Sequence, residues 1–86
     1  MLKVEIFSSP GCTQCSHLRK QLLSLARELD GIEVHEVNVL EQLDHAVALG
    51  VLSTPAIAID GRLCFTGLPS VKKLRAHLAA LLAQSE

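Results

Sequence analysis

Cys12 and Cys15, in the run Cys12-Thr13-Gln14-Cys15, are the two side chains whose types and spacing point most directly to chemistry. The turn formers Ser8-Ser9-Pro10-Gly11 precede them, and from about Thr13 apolar residues recur at helical spacing. The pair therefore stands where a strand hands over to a helix. Amides of a helix's first turn lack internal partners and carry partial positive charge, so they stabilise an adjacent anion. A Cys12 thiolate is such an anion, and thiols in that setting ionise at roughly pH 3.5–7.5, against about 8.5 when free. The i, i+3 spacing puts Cys15 on nearly the same helix face, within reach of the Cys12 sulfur. Cys12, nearer the loop, is expected to be the exposed nucleophile, and Cys15, deeper in the turn, the shielded resolving thiol. Cys12 would attack a disulfide, and Cys15 would then attack the mixed disulfide and release reduced product. The cycle calls for no cofactor beyond a redox-active Cys12–Cys15 disulfide, and no metal.

A second chemistry fits the same pair. Small heavy-metal domains also set Cys-x-x-Cys between a first strand and a first helix, where two soft thiolates hold Cu(I). A copper or zinc chaperone is thus the alternative. Against it, Pro10 occupies the position where such domains commonly carry Met, and the chain ends in a helical pattern rather than a strand. Cys64, the third cysteine, has no Cys or His partner at zinc-finger spacing.

The elements that must position the pair follow from periodicity. Leu2–Phe7 alternates in period two and reads as a strand. Leu18, Leu22, Leu25, Ala26 and Leu29 give the region from about Thr13 to Leu29 one apolar stripe, with Asp30-Gly31 as its stop. Ile32–Val39 is rich in β-branched residues, a second strand. Leu40–Leu49, with Leu40, Leu43 and Val47, reads as a short helix closed by Gly50. Pro55–Ile59 and Leu63–Thr66 flank Asp60-Gly61, a type I′ hairpin signal. After a Gly67–Ser70 loop, with Ser70 as N-cap, Val71, Leu74, Leu78, Leu81 and Leu82 form the stripe of a last helix. The order β-α-β-α-β-β-α predicts an α/β fold: a four-stranded mixed sheet with three helices, its first two strands parallel.

Composition sets the outer bounds. Eighty-six residues fit one domain, expected over residues 1–86, and 49% hydrophobic content suffices for a core built from aliphatic side chains. Eight basic against nine acidic residues give a formal net charge of −1. That balance neutralises no row of phosphates and draws the chain to no anionic membrane, so neither nucleic acid nor membrane is an expected partner. Charges at Lys3 and Glu5 interrupt the start, so a secretory leader is not expected, and the chain reads as cytoplasmic. Cys64 reads as a small buried hydrophobe. His17, His35, His45 and His77 read as surface residues, and Arg19 and Lys20 as the solvated face of the first helix.

Over nearly its full length the chain resembles the thioredoxin/glutaredoxin family. The resemblance rests on Ser8-Ser9-Pro10-Gly11-Cys12-Thr13-Gln14-Cys15, on Gly50-Val51-Leu52-Ser53-Thr54-Pro55, and on Asp60-Gly61 ahead of Phe65-Thr66-Gly67. It implies a thioredoxin fold and a thiol–disulfide oxidoreductase acting on protein or small-molecule disulfides. It also implies a cis Thr54–Pro55 bond packed near the cysteines, with Thr54, Pro55 and Gly67 contacting substrate. The carboxylate that thioredoxins place six residues before the first cysteine falls on Ile6, and Thr13-Gln14 separates the cysteines. The chain looks most like small glutaredoxin-like thioredoxins, whose electron donor is a thioredoxin reductase or glutathione.

Overall fold

Alternation of Leu2, Val4 and Ile6 with Lys3, Glu5 and Phe7 makes Leu2–Ser8 the first strand, β1, in the computed structural model, which describes residues 1–84. The last two positions of the expected domain lie outside the described residues. The remaining elements are α1 (Thr13–Glu28), β2 (Ile32–Asn38), α2 (Leu43–Leu49), β3 (Ala56–Ile59), β4 (Arg62–Thr66) and α3 (Val71–Gln84). The expected β-α-β-α-β-β-α order is the order observed. The sheet runs β2-β1-β3-β4, with β1 parallel to β2 and antiparallel to β3, and β3 antiparallel to β4.

Its inner position covers β1 on both faces. Leu2, Val4 and Ile6 pack with Leu18, Leu22 and Leu25 of α1 and Leu74 and Leu78 of α3. Each such side chain, fully buried, contributes about 1.5–3 kcal/mol. The opposite face is thinner: Phe7, Val37, Ala56 and Ala58 meet Ala46 of α2. The turn chemistry matches the residue types. Asp60 and Gly61 both adopt positive φ (49° and 84°) in the hairpin, and the Lys3 amide donates to Asp60 Oδ1 at 2.9 Å. Gly50 closes α2 at φ 83°, and Ser70 Oγ accepts the Lys73 amide at 3.2 Å.

The structure departs from the sequence pattern around α2. Asn38 Oδ1 accepts the Leu40 amide at 2.9 Å, and the Asn38 carbonyl accepts from Glu41 and Gln42. Residues 40–42 therefore form a turn, and the helix begins at Leu43 rather than Leu40. Leu40, Leu43 and Val47 are exposed, not a buried stripe; Ala46 is the side chain that faces the sheet.

Two histidines also differ from the surface reading. His45 Nε2 lies 2.8 Å from Glu5 Oε2, and its ring packs against Phe7 at 5.7 Å. Glu5, only 5% exposed, is a carboxylate on the inner strand whose charge has His45 as its side-chain partner. His77 is half-buried, edge-on to Phe65 at 5.1 Å. His17 and His35 are exposed as expected, and Cys64 is a half-buried free thiol packed against the larger core.

His45→Ala leaves the Glu5 carboxylate without that partner. Urea unfolding should register a loss of about 1–3 kcal/mol, toward the lower end because water can reach the vacated space. Replacing both residues with leucine should recover most of the loss, since exchanging both partners of a hydrogen bond for apolar groups is close to neutral.

Candidate active site

β1 ends at Ser8, the chain turns through Ser9–Gly11, and Cys12 becomes the N-cap of α1. Its φ and ψ are extended (−84°, 102°), so its side chain folds back over the first helical turn. There the Cys15 amide donates to Cys12 Sγ at 3.1 Å. A cysteine thus occupies the position usually filled by Ser, Thr, Asp or Asn, and its sulfur receives the amide that an oxygen would take. Cys12 and Cys15 form a disulfide, with Cα atoms 5.2 Å apart. Cys12 is partly exposed, whereas Cys15 is 3% exposed and packed beneath it. The asymmetry expected from sequence is present.

An open cleft of about 370 Å³ borders the disulfide, between the β1–α1 turn and β2. Arg19, one helical turn beyond Cys15, lines it and reaches Glu36 of β2 through two contacts of 3.2 and 3.3 Å. Arg19 is therefore an ion-paired wall of the cleft rather than part of a plain solvated face; Lys20 is exposed as expected.

The second half of the site comes from the loop before β3. The Thr54–Pro55 peptide bond is cis, and Pro55 is fully buried. Thr54 Oγ1 lies 2.8 Å from Ser9 Oγ, a hydrogen bond spanning 45 positions of sequence. The Ser9 carbonyl in turn accepts the Cys12 amide at 3.3 Å. Cys12, Ser9 and Thr54 are thereby linked in one chain of contacts. Gly67 joins the same end of the sheet: its amide donates to the Pro55 carbonyl at 2.8 Å. Gly67 has φ +81°, and a Cβ there would meet nothing within 4 Å, so the space above it is open. Ser9 is a link that the sequence reading did not single out, and no local pattern marks a serine whose partner lies so far along the chain.

Among the described residues no group of three or more His, Cys, Asp or Glu side chains is arranged to hold a metal ion. No described helix is long and apolar enough to cross a membrane.

A family model described as the thioredoxin domain matches residues 2–79. The chain belongs to the thioredoxin family. It is 34% identical over 74 residues to a thioredoxin of Methanocaldococcus jannaschii, spanning 85% of this chain and 87% of that protein. Among solved structures, this thioredoxin-family fold is similar to a mutant thioredoxin from Halobacterium salinarum. The TM-score is 0.81 at 24% identity, covering 92% of this chain and 73% of that one. It is also similar to thioredoxin 1 of Thermosipho africanus, with TM-score 0.80, 20% identity, and 96% and 97% covered. The fold is the thioredoxin fold, and the Cys12–Cys15 pair makes this family member a thiol–disulfide oxidoreductase.

Ser9→Ala removes the bridge between the two loops. It should cost about 0.5–1.5 kcal/mol in thermal or urea unfolding, the net worth of one neutral hydrogen bond. The secondary structure read by circular dichroism should be retained.

Proposed function

We propose that this chain reduces protein disulfides, with Cys12 as nucleophile and Cys15 as resolving thiol. The observation that carries the reading is the Cys12 sulfur at the α1 N-terminus, partly exposed and accepting the Cys15 amide at 3.1 Å. In the reduced protein the same amide and helix end favour the thiolate over the thiol. The thiolate attacks one sulfur of a substrate disulfide, and the other substrate sulfur leaves as a thiolate that takes up a proton. Cys15, deprotonated, then attacks the Cys12 sulfur of the mixed disulfide. The second substrate thiol departs and the Cys12–Cys15 disulfide forms, so two electrons have passed to the substrate. Burial of Cys15 fits this order, because an incoming substrate meets Cys12 first.

Thr54, Pro55 and Gly67 supply the edge along which an extended substrate segment lies. Pro55 offers no N–H, and the Gly67 amide is taken by Pro55, so Thr54 is the residue of the three left to pair with a visiting main chain. Open space above Gly67 leaves room for that segment. Electrons return to the pair from a thioredoxin reductase-type enzyme or from glutathione. A cytoplasmic setting suits a chain whose third cysteine is a free thiol.

Insulin reduction driven by dithiothreitol should be rapid with the wild type and fall to the uncatalysed rate with Cys12→Ser. Equal rates would end the proposal. Cys15→Ser should instead accumulate a mixed disulfide with substrate, visible as a mass increase that reductant removes. Alkylation of reduced Cys15→Ser against pH should place the Cys12 ionisation below the free-thiol value of about 8.5.

A further inference from the structure

The face of α2 beside Thr54 is apolar and exposed in a domain whose core lies elsewhere. Leu43 is 59% exposed, Val47 66% and Leu52 96%, and together with Val39 and Val51 they line a groove of about 280 Å³. The groove does not stand apart from the chemistry. Ser9 and Thr54 form its near end, and Ser9 also borders the Cys12 cleft. A polypeptide joined to Cys12 and laid along Thr54 would run directly into it.

The charges around the groove are one-sided. From Val37 to Ile59 the sequence contains no Lys or Arg, but it contains Glu41 and Asp44. Glu41 and Asp44 flank Leu43 and are exposed, and among the described residues neither takes part in an ion pair. His45, on the same helix, is turned to Glu5. Arg19, which lines the Cys12 cleft, is already engaged by Glu36.

Given the disulfide-reducing role proposed above, we infer that the α2 groove selects among substrates: it takes a polypeptide segment whose disulfide cysteine is flanked by aliphatic and basic residues. Aliphatic side chains bury Leu43, Val47 and Leu52, which otherwise face water. Lysine or arginine beside them meets Glu41 and Asp44, which steers encounter and rejects acidic sequences. Small anionic disulfides gain neither contact.

The test uses the whole chain and three peptides, each with one cysteine oxidised to its own symmetrical disulfide. The flanks are leucine with lysine, leucine with glutamate, or serine with glycine. Hydroxyethyl disulfide, small and uncharged, reads the cysteine chemistry alone. The leucine–lysine peptide should show a kcat/KM about tenfold above the other two, through KM rather than kcat. Leu43→Ser with Val47→Ser should raise KM for that peptide without lowering its kcat. Glu41→Lys with Asp44→Lys should reverse the order of the lysine and glutamate peptides. Equal kcat/KM for all three peptides, with hydroxyethyl disulfide still reduced, overturns the selectivity and leaves the reductase reading standing. Failure to turn over any of the four disulfides overturns both. A reversible dimer that rises with concentration and disappears in the serine variant assigns the groove to a second copy and overturns the inference.

Discussion

A strand-to-helix junction that ends in a cysteine governs this molecule. The first amides of α1 would be unsatisfied donors anywhere in a protein, and here a sulfur receives one of them. The same geometry that finishes the helix therefore sets one sulfur of the redox pair against a first-turn amide. The neighbouring cysteine gains its shielding from the same arrangement, since one helical turn carries it from the loop into the wall of the core.

The sheet holds that junction in place. β1 lies between β2 and β3, so its C-terminal end is fixed on both sides, and both loops of the site emerge from that end. The packing is unequal. The α1–α3 face is built from long aliphatic side chains, whereas the α2 face relies on alanines, one phenylalanine and the Glu5–His45 contact. α2 is seven residues long and buries one side chain fully. Such an element follows the sheet more than it stabilises it, and this leaves its outer surface available for other contacts.

Most of the fold was legible because its signals are local. Period-two alternation marked β1, helical spacing marked α1 and α3, and Asp60-Gly61 marked the hairpin. The cysteine pair was equally plain, since its meaning lies in four consecutive residues and the turn before them. Where the reading failed, a distant partner decided the matter. Leu40, Leu43 and Val47 have the spacing of a buried stripe, but Asn38 captures the first amides and rotates the helix so that Ala46 faces inward. His45 read as a surface residue, but the fold brings α2 over β1 and sets its ring against Glu5. Ser9 and Thr54 meet only because the sheet places their loops together. A single sequence carries no trace of such pairings.

The antiparallel run of β3 against β1 has one more consequence. The chemistry gathers at the C-terminal end of β1, while Ile59 pairs with Val4, so the Asp60-Gly61 turn projects from the opposite edge of the molecule. A seven-residue strand spans roughly 20 Å, and that length separates the reactive end from the turn. The fold thus has a working pole and a quiet one, and the quiet pole is a natural place to attach a tether, a label or a fused domain.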